Sequence, residues 1–302
     1  MFDSFVAGQL AIGASVGLTY ALVAIGFTLI FRVLAAVNFA HGEVYTIGAF
    51  TTLVAVTTLK APVWAALPLV IAVGLVAGLA VERAAFRPFR RFTDEASLKS
   101  RAVREATLLS SLALGILGRE AMDQVWHGQW LAIPQEKMLN QPVNLGGIML
   151  SSGELTIAAA SLGLLLALQW LLTRTRIGLE IRAVSSNLVG AQFSGIDINR
   201  VVVATFAVGS ILGALAGMLV SLAYGAIQSN MGLSVVLKAF VAMVIGGLTS
   251  IPGAVAAGVL IGLAEGAASL WVASAWTEMV AYVLLIVTLV FFPRGLFRWG
   301  GK

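Results

Sequence analysis

The stretch LTIAAASLGLLLALQWLLT, residues 155–173, carries no charged side chain and shows no strict alternation of apolar and polar residues. Its length is close to the roughly 20 residues that a helix needs to cross a bilayer core, whereas a membrane β-strand would alternate with a period of two. Eight further stretches have a similar length and apolar character: 6–30, 43–59, 62–81, 106–122, 200–224, 233–250, 253–270 and 277–293. The sequence therefore predicts an all-α, polytopic integral membrane protein with nine transmembrane helices, or eight if 43–59 or 233–250 only dips into the membrane.

Composition excludes a soluble globular protein, because 59% of the residues are hydrophobic, 11% are charged and the mean hydropathy is +0.97. The polar gaps are too short for an independent soluble unit, so residues 1–302 are predicted to form a single transmembrane domain. The sequence lacks the phosphate-binding motif G-x-x-x-x-G-K-[ST], so ATP hydrolysis by that route would belong to a partner. Cysteine is absent as well, and one histidine with one glutamate at 41–43 is too small a ligand set for a metal site.

Positive charge is concentrated in a few gaps between the apolar stretches. Fifteen of the nineteen Lys and Arg residues are Arg32, the cations of 82–105 and 174–200, and those of 294–302. The positive-inside rule places such segments in the cytoplasm. The loops 82–105 and 174–199 and the C-terminus are therefore predicted to be cytoplasmic, and 123–154 and the N-terminus to lie outside. The net charge of +5 is therefore explained by cytoplasmic loops that carry the cations, and it does not indicate nucleic-acid binding.

A polar break separates the first two apolar stretches, where Asn38, His41, Gly42 and Glu43 follow one another closely. One interpretation is structural: Asn38 caps the following helix and Glu43 occupies its favourable first turn. The other is functional: a broken helix whose polar groups line a cavity or a gate. The sequence leaves both interpretations open.

Three charges and several glycine repeats fall within the apolar stretches. Lys238, Glu265 and Glu278 either serve a function, as charges at membrane depth often do, or extend to the membrane surface. The glycines recur at four-residue spacing, which favours close helix packing over a glycine-lined pore: Gly74 and Gly78, then Gly209, Gly213 and Gly217, then Gly258, Gly262 and Gly266.

The cytoplasmic segment 173–201 contains an amphipathic pattern. Its apolar residues recur at helical spacing, and they are Ile177, Ile181, Val184, Leu188 and Ala191. The pattern predicts that 178–197 forms a cytoplasmic helical segment, in which the helix stops at Gly195 and Asp197 lies in the turn beyond it. Such a helix either lies on the membrane surface or docks into a groove of a soluble partner.

Three segments resemble bacterial branched-chain amino acid permeases, which are membrane subunits of ABC importers. GLTYALVAIGFTLIFRVLAAVNFAHGEVYTIGAF at 17–50 resembles the family's N-terminal signature, and NFAHGE at 38–43 is its most specific part. RAVSSNLVGAQFSGIDINRV at 182–201 resembles the family's ATPase-coupling segment. GGLTSIPGAVAAGVLIGLAEG at 246–266 resembles its Gly-rich C-terminal signature, which includes Glu265. Importers of this family contain two related permeases, and this sequence resembles the smaller one more closely.

The resemblance implies a type II ABC importer-like permease of the bacterial inner membrane, with no catalytic residue and no cofactor of its own. It implies a second homologous permease, two cytoplasmic ATPases that bind ATP and Mg, and a periplasmic substrate-binding protein. The implied substrate is a branched-chain or other hydrophobic amino acid, hence a small neutral or zwitterionic solute. Candidate translocation and gating residues are Asn38, His41, Gly42, Glu43 and Glu265. Candidate coupling residues are Gly178, Glu180, Arg182, Ala183, Asn187, Ala191, Gly195, Ile196 and Asp197.

Other transport classes predict different features. A permease of the same family could carry urea or short amides. An ion-coupled secondary transporter predicts inverted repeats with matching broken helices in its two halves. A passive channel predicts a selectivity filter or a charged ring, and the sequence shows neither.

Overall fold

Helices account for most of the computed structural model, which describes residues 2–90, 101–145, 148–292 and 295–296. Their bounds are α1 (Phe2–Leu34), α2 (His41–Thr57), α3 (Val63–Val81), α4 (Arg101–Trp126), α5 (Ser152–Arg174), α6 (Arg176–Ser186), α7 (Leu188–Phe193), α8 (Ile198–Tyr224), α9 (Met231–Gly246), α10 (Ile251–Ala268), α11 (Ser274–Thr277) and α12 (Met279–Phe291). Every apolar stretch of the sequence lies largely on one of these helices, so the prediction of a polytopic helical protein is confirmed.

The helices differ in how well they would span a bilayer alone. Within the described residues, α1, α3 with its continuation, α5, α8 and α10 are long and apolar enough to do so, and α9 and α12 are apolar but shorter. The other two predicted spans fall on α2, which has 17 residues, and on α4, which begins with Arg101 and carries Arg119, Glu120 and Asp123. These two helices therefore depend on their neighbours for a place in the membrane.

α1 and α8 form the centre of the helical bundle. The apolar windows of these two helices are 78% and 72% buried inside the protein, against 22% for α3 and α5 and 33% for α10. α1 packs mainly on α10 and α8, while α8 also packs on α2 and α3. The remaining surfaces of α3, α5 and α10 are left for lipid or for partner subunits.

The α1–α10 contact rests on facing glycines. A Cβ atom added to Gly13 would lie 2.5 Å from the Gly262 carbonyl oxygen, and one added to Gly17 would lie 2.8 Å from that of Gly258. Only glycine permits two backbones to approach so closely. The packing interpretation of these repeats is therefore confirmed for Gly258, Gly262 and Gly266.

The non-helical structure sits at one end of the bundle. β1 (Leu131–Ala132) pairs antiparallel with β4 (Ala226–Ile227), and β2 (Pro142–Leu145) pairs antiparallel with β3 (Ile148–Ser151). β2 and β3 thus form a β-hairpin. β3 leads directly into α5, and α6 follows the other end of this 23-residue helix. The segments 127–145 and 148–151 therefore lie at the opposite end of the molecule from 175–197.

Two segments differ from the sequence-based expectation. The helix predicted as continuous over 178–197 is divided at Asn187 into α6 and α7, so that prediction is wrong in its continuity. The polar segment 82–105 is partly helical, because α3 continues through a π turn (Glu82–Phe86) and a 3-10 turn (Arg87–Arg90), and α4 already begins at Arg101. Residues 91–100 lie outside the described part.

Candidate translocation and coupling sites

The chain between α1 and α2 turns back into the bundle. α1 ends at Leu34, Ala35 adopts a φ of 51°, and α2 begins at His41, which lies against Gly26 of α1. Gly26 precedes Leu34 by eight residues, which corresponds to about 12 Å of helix rise. Residues 35–40 therefore retrace this distance, and α2 starts inside the bundle rather than at its end.

Ser111 of α4 hydrogen-bonds backbone groups of residues 35–40 that have no helical partner. Its hydroxyl oxygen accepts a hydrogen bond from the Phe39 amide at 3.3 Å. Its proton is directed to the carbonyl oxygens of Val37 at 3.3 Å and of Leu108, in its own helix, at 2.9 Å. Non-helical backbone at membrane depth is tolerated only where protein or water supplies such partners. α4 is thus the structural support of the polar break.

Asn38 does not cap α2, so that structural interpretation is wrong. The residue before the helix is Ala40, and no side chain accepts a hydrogen bond there. The Asn38 side chain is buried, and its Oδ1 atom has no hydrogen-bond partner among the described residues. Glu43, in contrast, lies in the first turn of α2 as predicted.

His41 is fully buried between α1 and α8. A Cβ atom added to Gly213 would lie 3.2 Å from the His41 ring, and the Phe27 ring packs edge-on at 5.5 Å. The backbone of Val23 interacts with the imidazole, yet neither ring nitrogen makes a hydrogen bond of normal geometry with a described residue. His41 is therefore a close-packed residue whose polar atoms are unsatisfied.

Glu43 faces a different neighbour. Residues two apart on an α-helix point about 200° away from each other, so Glu43 lies opposite His41 and against α4. Its Cγ atom would be 3.5 Å from a Cβ added to Gly118, and Arg119 and Asp123 lie within electrostatic range of its carboxylate. The structure therefore does not bring His41 and Glu43 together into one cluster.

Gly42 marks the contact between two helices that both begin inside the bundle. A Cβ atom added to Gly42 would lie 2.6 Å from the carbonyl oxygen of Gly232, in the first turn of α9. α9 is reached from the end of α8 through residues 225–230, whereas α2 is reached from the opposite end of the bundle. Such opposed helix starts are the feature that the secondary-transporter alternative predicted, so they do not by themselves separate the two transport classes.

Glu265 belongs to a buried ionic cluster that joins three helices. Its Oε1 atom lies 2.9 Å from Lys238 Nζ of α9, and its Oε2 atom accepts a hydrogen bond of 2.9 Å from the Tyr20 hydroxyl of α1. Lys238 also donates to that hydroxyl at 3.0 Å. The Lys238 and Glu265 side chains are only 6% and 12% exposed. They are therefore paired inside the protein and do not extend to the membrane surface, whereas Glu278 is exposed.

At the other end of the bundle, α6 and α7 are two short consecutive helices with capped starts. At the start of α6, the Thr175 side chain accepts a hydrogen bond from the Gly178 amide. At the start of α7, the Asn187 side chain accepts one from the Gly190 amide at 2.8 Å. At the start of α8, the Asp197 side chain accepts hydrogen bonds from the Asn199 and Arg200 amides. Gly195 adopts a φ of 77° and separates α7 from α8, as its predicted role as a helix stop required.

The candidate coupling residues divide into an inner and an outer group. Gly178 and Ala191 are buried, and a side chain at Gly178 would meet the backbone of Leu172. Half-buried positions are Glu180, Ala183 and Ile196, and exposed positions are Arg182, Asn187, Gly195 and Asp197. The most prominent outward residues were missed by the sequence pattern: Phe193 is 89% exposed and Leu179 is 60% exposed. An apolar ring on a polar loop was the available signal for Phe193.

No group of three or more His, Asp or Glu residues within the described part of the chain is arranged to hold a metal ion. The site residues therefore offer packing, hydrogen bonding and charge, and these are the properties that a translocation pathway and a docking segment use.

Comparison with known proteins identifies the family. The family described as "Branched-chain amino acid transport system / permease component" matches residues 9–289. The chain belongs to this family.

Named relatives support the same assignment over nearly the whole permease. The "High-affinity branched-chain amino acid transport system permease protein BraD" of Pseudomonas aeruginosa is 31% identical over 299 residues, which cover 95% of this chain and 94% of that protein. The "High-affinity branched-chain amino acid transport system permease protein LivH" of Escherichia coli (strain K12) is 31% identical over 297 residues, which cover 95% of this chain and 94% of that protein. The "Ribose import permease protein RbsC" of Haemophilus influenzae is 32% identical over 136 residues, only 43% of this chain and 42% of that protein.

Family membership confirms the resemblance that the sequence segments suggested. The permease is a multi-pass protein of the inner membrane, and it is a transport component rather than an enzyme. The opposed starts of α2 and α9 therefore belong to a subunit of a transport system.

Proposed function

We propose that this chain is the membrane subunit of an ABC importer that carries branched-chain or other hydrophobic amino acids from the periplasm to the cytoplasm. The observation that carries this proposal is its similarity to BraD and LivH from end to end, whereas the ribose permease resembles less than half of it. Because BraD and LivH match nearly the whole chain, we assign this chain their class of substrate rather than that of the ribose permease.

The proposed assembly contains a second homologous permease, two cytoplasmic ATPases that bind ATP and Mg, and a periplasmic substrate-binding protein. The need for partner ATPases is supported by the absence of a phosphate-binding motif in the sequence. Docking through α6 and α7 is supported by the exposed Phe193 and Leu179 side chains, because an exposed aromatic ring gains most when it enters a pocket of a partner. The proposed orientation places α6, α7 and the C-terminus in the cytoplasm.

A mechanical connection from the docking segment to the polar break follows from the packing. α7 is joined to α8 by Gly195 and by Asp197, whose carboxylate caps the first turn of α8. Midway along α8, Gly213 lies against His41 at the start of α2. A displacement of α7 on ATP binding would thus be transmitted along α8 to the place where the chain re-enters the bundle.

The test is uptake by the reconstituted importer. The permease, its partner subunits and the binding protein are incorporated into liposomes, and the accumulation of radiolabelled leucine, ribose and urea is measured with and without internal ATP. We expect ATP-dependent accumulation of leucine only. Equal accumulation of leucine without ATP but with an ion gradient would assign the protein to the secondary transporters, and accumulation of urea would assign it to the other branch of the family.

A further inference from the structure

A cavity of about 480 Å³ lies between α2, α3 and α4, immediately beside the polar break. It is lined by Ile47, Phe50, Thr51, Val54, Leu59, Leu69, Val73, Met122 and Trp126. Thr51 contributes the one hydroxyl group of this lining. The volume falls within the range of small-molecule sites, which are typically apolar with a few polar groups at one end.

Two charged side chains lie one helical turn deeper in the bundle than residues of the cavity lining. Glu43 precedes Ile47 by four residues on α2, and Arg119 precedes Met122 by three residues on α4. Residues at these spacings share one face of a helix. The charged side chains and the apolar lining are therefore successive levels of the same α2–α4 interface.

The Glu43 carboxylate is not fully hydrogen-bonded by the residues that the structure describes. Its Oε2 atom is buried and has no hydrogen-bond partner among the described residues. Arg119 and Asp123 lie within its electrostatic range, and Asp123 accepts a hydrogen bond from Ser229 in the segment that leads to α9. A buried charged atom without a partner is costly, so a ligand with a complementary charge would be stabilised at this position.

We propose that this cavity and the Glu43–Arg119–Asp123 cluster form a binding site for a branched-chain amino acid inside the permease. The aliphatic side chain occupies the cavity, the ammonium group meets the free oxygen of Glu43, and the carboxylate meets Arg119. The inference rests on the proposed function and deepens it, because it gives the permease its own means of recognising both ends of the substrate.

The same geometry disfavours a lipid chain as the occupant. The exposed Leu59 at the rim opens the cavity toward the end of the bundle that carries the β-hairpin. A lipid that entered from this interface would place the terminal methyl of its acyl chain against the charged cluster. An acyl chain there would leave the buried Glu43 oxygen without a polar partner, which is unfavourable, whereas an amino acid brings charges of its own.

Val73 provides a specificity test with a matched control on the same helix. Val73→Phe reduces the room for the substrate side chain, whereas Val76→Phe adds the same ring at a position that is 66% exposed. In the reconstituted importer with one binding protein, we expect Val73→Phe to lower the leucine-to-valine uptake ratio by about tenfold. Val76→Phe should keep the wild-type ratio, and an unchanged ratio in Val73→Phe would overturn the site.

A labelling test measures occupancy independently of transport. Because the sequence contains no cysteine, Thr51→Cys introduces a single thiol into the cavity and Val76→Cys introduces one outside it. In the complete importer with leucine-loaded binding protein and ATP, we expect saturating leucine to slow the N-ethylmaleimide reaction at Thr51→Cys by about tenfold and to leave Val76→Cys unaffected.

The outcomes separate this inference from the proposed function. Leucine uptake by the wild-type importer without protection of Thr51→Cys would overturn the site and leave the proposed function intact. A wild-type importer that accumulates no branched-chain amino acid would overturn both. A phospholipid that co-purifies with the wild-type protein and is lost in Val73→Phe would assign the cavity to lipid and overturn the site.

Discussion

Lys238 and Glu265 place opposite charges between α1, α9 and α10, where the Tyr20 hydroxyl bonds to both. Breaking a buried ion pair by removing one partner leaves an uncompensated charge, which typically costs about 3–5 kcal/mol. We therefore expect Glu265→Gln to lower the thermal stability of the purified permease markedly. The measurement is the melting temperature in detergent, followed by fluorescence-detected size exclusion.

The double variant Lys238→Met/Glu265→Leu tests whether the charges are needed for folding. Apolar residues of similar size can replace a buried pair at little cost, so this variant should recover most of the lost stability. Glu278→Gln, at an exposed position, serves as the control and should melt like the wild type. A double variant as unstable as Glu265→Gln would contradict this account and give the ion pair a structural role that packing cannot replace.

At the residue scale, the sequence indicated which side chains were unusual but not what they contact. Glu265 and Lys238 stand out because charges are rare in apolar stretches. Their common partner Tyr20 is 218 residues from Lys238 and 245 from Glu265, and no local pattern connects positions so far apart. Ser111 was missed for a related reason: a serine in an apolar helix has no distinctive spacing, and its role depends on the chain path of 35–40.

The α6–α7 segment is a short element with a buried face and an exposed aromatic residue. We expect Phe193→Ala to weaken ATP-driven uptake strongly, because truncating an anchor residue of an interface typically costs about 2 kcal/mol or more in binding. The permease itself should remain folded, since Phe193 is 89% exposed. The measurement combines ATPase co-purification with leucine uptake, and Ser186→Ala, an exposed change on α6, is the control. Wild-type uptake by Phe193→Ala would remove this residue from the docking surface.

Helix positions were predictable because a bilayer imposes length and apolarity on each span. The division at Asn187 was not, although its cause is local. An asparagine side chain that accepts a hydrogen bond from an amide three residues ahead offers the backbone an alternative to a continuous helix, and Asn187 does this with Gly190. The apolar periodicity of the segment continues across this position, so periodicity alone gave one helix.

Across the whole molecule, the starts of α2 and α9 inside the bundle explain why the polar break is at its centre. Gly42 and Gly232 bring these helices into contact, and α8 lies beside α2 along Gly213 and Gly217. The sequence predicted a break at 38–43, but only the fold shows that a second helix begins at the same depth. The two opposed entries give the bundle a region where small movements of α8 change the packing of both helices.

The distribution of positive charge predicts the orientation of the whole molecule in the membrane. Fifteen of the nineteen cations fall in segments assigned to the cytoplasm, and moving them outside would oppose the positive-inside rule. The cysteine-free chain allows single thiols at Gln135 and at Ser186, both exposed and at opposite ends of the bundle. In intact cells, a membrane-impermeant maleimide should label Gln135→Cys and leave Ser186→Cys unmodified until the inner membrane is permeabilised. The reverse labelling pattern would show that the permease has the opposite orientation in the membrane. Phe193 and the whole α6–α7 segment would then lie on the periplasmic side, where no ATPase could reach them.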